Sequence, residues 1–373
     1  MTGPPDSGYD IAFGTYEEAR ALVGSVTAPR TSPHEVNVSM IRQFAALVRD
    51  PNPSYWDEDF ARRRWGGVIA PPAMLMTWLM PLEWEPGGAV PVPLLTARVP
   101  LPGATFVNVS NQATFFEPVR VGDRLSVDEE LTDVSSAKRT SLGVGHFVTT
   151  VSTYRRQDGT VLARTPNVLY RFDPDPDPDP DADADADPDP GPFVEAEPGS
   201  GEEVAAEAAG DADAAGDGAW DLSAGWARRF DDVTEGEVLA HVEDPISYRR
   251  VIMTPGATLD YFPGHHDPAY ARAQGQPTIY LNTLHLLGFV DRLATAWGGP
   301  GSFVAARTLS VRRSVYAGDT MVGDGTVVRR FLAPNGRQSV ELAITVTNQH
   351  GQLCAPATVE LELPGQSSAS AKT

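Results

Sequence analysis

Asp260-Tyr-Phe-Pro263-Gly-His265 sets a carboxylate and an imidazole five positions apart around a proline. Held close together, these two groups could move a proton between water and a substrate, which is general acid–base chemistry. Alone, the pair suits a hydrogen-bonded turn equally well, so its surroundings must decide. His266 follows directly, but no nearby cluster completes a metal ligand set, and a structural role is expected for it. His146 and His285 are expected to pack in the core or to support the site from behind. Cys354 is the single cysteine, which excludes an internal disulfide, a cysteine zinc site and a CxxC redox pair.

The surroundings contain a repeat. Asp50-Pro-Asn52-Pro53-Ser-Tyr55 lies in the same frame, and the register continues without gaps through Asp57 and Asp267, Phe60 and Tyr270, Ala61 and Ala271, and Arg62 and Arg272. In both copies an isoleucine (Ile69, Ile279) follows the first aspartate by 19 residues, and a helical pattern then begins. In the second copy Leu286, Phe289, Val290, Leu293 and Trp297 recur at helical spacing until Gly298-Gly-Pro-Gly301 stops them. In the first, Pro71-Pro72 suits a helix start, Met74, Leu75, Trp78 and Leu79 supply an apolar face, and Pro81 ends it. Strand patterns follow each helix: Val340, Leu342, Ile344 and Val346 alternate, as do Val359, Leu361 and Leu363. A Gly-Asp turn precedes a strand in each copy, at Gly122-Asp123 and Gly318-Asp319. A helix followed by antiparallel strands, twice, predicts an α+β architecture with each sheet wrapped on its helix.

The net charge of −21 is concentrated between Asp173 and Asp217, which hold 17 acidic residues and no Lys or Arg; the remainder carries only −4. That leaves no strong basic face for nucleic acid. Asp-Pro and Asp-Ala repeats cannot build a core, so this stretch is expected to be a disordered linker between segments of 172 and 156 residues. A calcium site is not expected, because no EF-hand glycine or closing glutamate follows. No apolar run reaches the roughly 18 to 20 residues of a spanning helix, and the first residues lack a signal-peptide pattern, so a soluble cytoplasmic protein is expected.

These residues resemble the MaoC-like hydratase family, whose hot-dog fold wraps an antiparallel sheet around a central helix and whose signature has the form Asp-x-Asn-Pro-x-His. The second copy fits with Phe262 in place of the asparagine; the first keeps Asn52 but has Tyr55 where the histidine belongs. Residues 260–276, 279–283 and 288–292 resemble the catalytic subunit of the two-subunit enoyl-CoA hydratase of actinobacterial steroid side-chain degradation. Residues 115–125, 138–150 and 154–159 resemble its partner subunit. The chain therefore looks like a fusion of both, a tandem (double) hot-dog protein with a degenerate copy at 1–172, a linker at 173–217 and a catalytic copy at 218–373. The zinc-ribbon/OB docking module that such partners often carry has no counterpart here.

The resemblance implies that Asp260 and His265 are the acid–base pair, acting on one water in a syn addition to a trans-2-enoyl thioester that gives the (R)-3-hydroxyacyl product. It places the oxyanion donor, a backbone N–H at the start of the central helix, near Asn282 and Thr283. Coenzyme A enters as part of the acyl-CoA substrate, and no further cofactor or metal is expected. Its phosphates call for a basic rim, for which Arg307, Arg312, Arg313, Arg329 and Arg330 are candidates. Tyr55, with an ordinary pKa near 10, is a poor proton shuttle, so the first copy is expected to be inactive and free to open room for a bulky, steroid-type acyl group. The two copies are expected to pair within the chain, across a linker whose 45 residues reach roughly 35 to 40 Å, and two chains to form a homodimer. Two other readings stand beside this one: a dehydratase acting on carrier-protein-bound chains in polyketide or lipid synthesis, and a non-catalytic acyl-thioester binding module.

Overall fold

Period-two alternation in both halves builds one antiparallel sheet. The computed structural model describes residues 11–82, 84–86, 88–89, 95–140, 143–174 and 228–364. In the first half the strands are β1 (Arg30–Thr31), β2 (Trp84–Glu85), β3 (Gly88–Ala89), β4 (Thr105–Phe115), β5 (Ser126–Val134), β6 (Lys138–Thr140), β7 (Gly143–Arg155) and β8 (Val161–Pro174). The second half adds β9 (Val242–Pro245), β10 (Phe303–Leu309), β11 (Thr320–Leu332), β12 (Gln338–Asn348) and β13 (Leu353–Glu362). The sheet runs β1-β5-β7-β8-β4-β10-β13-β12-β11-β9, with β6 on β7 and β2–β3 a separate hairpin. The halves join where β4 pairs with β10, from Thr114 opposite Ala306 to Asn111 opposite Leu309. Of the expected linker, Asp173 and Pro174 complete β8; the rest lies outside the described residues.

The alternating residues Val340, Leu342, Ile344, Val346, Val359, Leu361 and Leu363 are all buried, as their spacing predicts. Both Gly-Asp turns form: Gly122 and Gly318 take φ of 90° and 101°, a region open to glycine, and Asp123 and Asp319 each accept a hydrogen bond from the backbone N–H three residues earlier.

The helices are α1 (Tyr16–Ala21), α2 (Val38–Leu47), α3 (Pro53–Trp56), α4 (Glu58–Trp65), α5 (Leu95–Arg98), α6 (Tyr248–Thr258), α7 (Pro268–Ala273) and α8 (Thr283–Gly298). The repeat is visible in their caps: Asp57 and Asp267 each accept two backbone N–H bonds at the starts of α4 and α7. The central helix α8 has fourteen of its sixteen residues buried, because the sheet lies against one side and the first half against the other. Its contact with α2 is close enough that a Cβ on Gly288 would stand 2.7 Å from the Phe44 ring.

The expected central helix of the first half does not form. Residues 72–79 instead make two 3-10 turns, Pro72–Met74 and Thr77–Leu79, although Met74, Leu75, Trp78 and Leu79 are buried as anticipated. Only eight residues separate Pro72 from Pro81, too few to offset the cost of helix nucleation, and α8 already packs on the first turn.

Buried charge ties the halves together. Asp244 of β9 accepts a bidentate pair from Arg250 at 2.5 and 2.9 Å and a further contact from Arg49 at 3.1 Å. The same Arg250 donates to the Leu47 carbonyl and Arg292 donates to that of Val48, so two arginines of the second half cap the C-terminus of α2 in the first. Replacing Asp244 with Ala strands these cations. Unfolding in denaturant should show a loss of about 3 to 5 kcal/mol, and a loss under about 1 kcal/mol would contradict this account of the interface.

Candidate active site

The C-terminus of α6 delivers Asp260. Leu259 caps that helix in the left-handed region at φ 58°, its N–H bonded to the Pro255 carbonyl at 2.7 Å, and this elbow turns the next residue toward the start of α8. A non-glycine residue there costs about 1 to 2 kcal/mol, which the surrounding bonds must hold. The 3-10 turn Pro263–His265 then brings the imidazole round. Gly264 allows the turn to press on Tyr280, since a Cβ at that position would lie 2.5 Å from the phenol oxygen.

His265 Nδ1 lies 2.9 Å from the Tyr280 carbonyl. A carbonyl only accepts, so Nδ1 carries the proton and Nε2 presents its lone pair. That lone pair faces Asp260 Oδ2 across 3.7 Å, beyond direct hydrogen-bonding reach and suited to a shared bridging group. The imidazole is 8% exposed and the carboxylate 23%. Burial pulls the His265 pKa below its ordinary 6.5, with the nearby Asp260 charge working against it, so the ring is neutral at neutral pH.

Asn282 is the N-cap of α8. Its Oδ1 accepts from the His285 N–H at 3.0 Å, while its Nδ2 donates to Asp260 Oδ2 at 3.2 Å and to Thr258 Oγ1 at 2.8 Å. It is the side chain of Asn282, rather than its backbone, that touches the carboxylate. The N–H groups of Thr283 and Leu284 donate to no acceptor among the described residues, leaving free donors at the positive end of the helix.

The basic rim is corrected in part. Arg307 is 3% exposed, forms an ion pair with Asp291 of α8 and lies over the Phe115 ring, so it cannot meet a phosphate in solvent. Ala305 and Leu309, two positions to either side on β10, are buried on the same face. Arg312 and Arg313 are exposed, on the segment that leads to Tyr316. Arg329 and Arg330 are exposed on β11, where Arg329 pairs with Glu341. Two tyrosines that sequence reasoning missed frame the imidazole. Tyr280 stands edge-on to His265 at 5.2 Å, its phenol pushed up to about 12 chiefly by burial, and Tyr316 packs edge-on against Tyr280. Phe262, in place of the signature asparagine, packs edge-on against both His265 and Tyr270. His285 is fully buried with Nδ1 3.0 Å from Thr254 Oγ1, its pKa lowered to about 3 by burial and by Arg250; His146 bonds the Ser135 carbonyl and stacks on Tyr16. No group of three or more metal-ligating side chains assembles among the described residues.

In the first half the same frame has a different content. Asp50 is buried, which raises its pKa to about 6, and its Oδ1 accepts from Asn52 N–H. Tyr55 is buried too, its phenol driven well above 10 by desolvation. Pro72 occupies the position of Asn282. Tyr55 lines a small cavity with Trp65, Trp78, Phe115 and Phe303 that has room for about two waters.

A family model described as a FAS1-like dehydratase domain region matches residues 21–165. A probable enoyl-CoA hydratase alpha subunit of Thermomonospora curvata is 37% identical over 165 residues, covering 42% of this chain and 51% of that protein. The alpha and beta subunits of 3-oxo-4,17-pregnadiene-20-carboxyl-CoA hydratase of Mycobacterium tuberculosis are 31% identical over 136 residues and 36% identical over 77. Those matches cover 35% and 21% of this chain, and 43% and 60% of the two subunits. The chain thus spans about half the length of these curated relatives. A solved MaoC-like dehydratase superposes over 93% of this chain and 100% of its own, with a TM-score of 0.66 at 20% identity. Sheet, central helix and repeat together define a tandem hot-dog protein. Its fold is that of the solved MaoC-like dehydratase.

The elbow at Leu259 makes a separable prediction. Leu259→Gly should fold with stability within about 1 kcal/mol of the parent, whereas Leu259→Val, β-branched at positive φ, should lose more than about 1 kcal/mol in thermal unfolding.

Proposed function

We propose that this protein hydrates trans-2-enoyl-CoA thioesters, reversibly, to (R)-3-hydroxyacyl-CoA. The observation that carries the proposal is the lone pair of His265 Nε2 facing Asp260 Oδ2 at 3.7 Å beside the open N-terminus of α8. A water between the two groups is held by both. His265 takes its proton as the oxygen adds to C3, the Asp260 carboxylate stabilises the imidazolium, and the proton returns from the same face to C2, so one H2O is added syn. The charge that develops on the thioester oxygen is met by the free N–H at Thr283, backed by the helix dipole. The substrate brings the coenzyme A. Of the expected rim, Arg312 and Arg313 are exposed on the segment that leads to Tyr316, and Arg329 and Arg330 are exposed on β11.

A bulky acyl group, of the steroid kind named for the mycobacterial relatives, is the substrate class this reading favours, with the first half shaping the acyl pocket and contributing no proton transfer. The dehydratase family model at residues 21–165 supports including carrier-bound 3-hydroxyacyl chains as a second substrate form.

The test is loss of enoyl-thioester absorbance with a panel of straight-chain, branched and polycyclic 2-enoyl-CoAs, alongside pantetheine and carrier-protein thioesters. Asp260→Asn and His265→Ala should each slow hydration by about 10²- to 10⁴-fold while remaining folded. Turnover of every substrate by both variants at the parent rate would remove these residues from the mechanism. Because the base is the neutral imidazole, kcat/KM should fall as pH drops through a value below 6.5 and stay flat above it; an acidic limb centred above 6.5 would contradict the burial-lowered His265.

A further inference from the structure

Behind Asn282 lies a polar relay with a fixed direction. The Thr258 hydroxyl donates to the Thr254 carbonyl at 2.8 Å, so toward Asn282 it has only lone pairs to offer. Asn282 must therefore turn its NH2 group to Thr258, and its Oδ1 is already committed to the His285 N–H. One amide proton is spent on Thr258, and the other falls on Asp260 Oδ2. Were the carboxamide to rotate by half a turn, its oxygen would face the carboxylate and the cap of α8 would be lost.

The first half serves as an internal control. At the positions of Thr254, Thr258, Asn282 and His285 it carries Phe44, Val48, Pro72 and Leu75. Every polar member of the relay is apolar in the copy that also lacks the signature histidine, and Phe44 and Val48 fill the space against Gly288. The left-handed elbow, by contrast, persists in both copies, at Arg49 (φ 53°) and Leu259 (φ 58°). The elbow belongs to the repeat, and the relay belongs to one site.

We infer that Thr258 is a positioning residue for the hydration reaction, acting through the Asn282 carboxamide to hold the Asp260 carboxylate opposite His265. The inference rests on the function proposed above. Thr258→Val installs the side chain of the silent copy at nearly constant volume and removes the acceptor from Asn282. It should lower kcat about 10- to 100-fold with KM nearly unchanged, because the substrate's contacts remain while the proton-transfer geometry loosens. Thr258→Ser, which keeps the hydroxyl, should recover most of the rate. Thermal unfolding of each variant separates misfolding from mispositioning. A Thr258→Val enzyme as fast as the parent, or a serine variant as slow as the valine one, overturns the inference. If the parent hydrates no thioester, the functional reading fails on its own, and a crystal structure of Thr258→Val still decides: a rotated Asn282 amide with Asp260 released supports the relay, and an unmoved pair overturns it.

Discussion

The N-terminus of α8 lies at the edge of a buried region, and a helix that begins there has backbone donors that water does not freely reach. The constraint shapes everything nearby. A side chain must cap the helix, and asparagine can do so with its oxygen while keeping an NH2 group for other uses. Asn282 uses that group on Asp260 and Thr258, so one residue both starts the helix and aims the carboxylate. The N–H groups of Thr283 and Leu284 stay uncapped at the positive end of the helix. The helix start and the Asp260 carboxylate are thus held together by one side chain.

Burying α8 so completely requires something on its second side, and that is what the first half supplies. The β4–β10 pairing continues the sheet, Phe44 packs against Gly288, and Arg250 and Arg292 reach across to the last carbonyls of α2. The shared sheet and core bury apolar surface, which is non-directional, whereas the arginine bonds fix one relative placement. Where the first half would have needed its own long helix, the short turn at Pro72–Met74 lies against α8 instead.

What could be read from the sequence follows from which forces are periodic. The strands β12 and β13 and the interior of α8 were legible because burial repeats at two and at 3.6 residues, and no other element offers those residues a better face. The repeat was legible because Asp57 and Asp267 still make identical caps. Pro71-Pro72 misled for a reason of degree: prolines favour a helix start, but too short a run to Pro81 leaves nothing to propagate. Arg307 misled because charge suggests solvent, although its alternation with Ala305 and Leu309 was a signal that its side chain points inward. Tyr280, Thr258 and the amide direction of Asn282 had no periodic signature. They depend on which turn meets which helix end, a fact of tertiary structure alone.

The electrostatics of the pair follow from depth. His265 is buried, so desolvation disfavours the imidazolium, and the Asp260 charge offsets only part of it. A ring closer to the surface would be protonated more readily and would lose the lone pair that faces Asp260. A ring with its Nδ1 turned away from the Tyr280 carbonyl could place either nitrogen toward Asp260, and the tautomer would no longer be set. The Tyr280 carbonyl and the burial around it therefore act together, one choosing which nitrogen is basic and the other keeping it unprotonated. Gly264 lets the turn lie close against Tyr280, since a Cβ there would meet the Tyr280 phenol and the Phe262 ring.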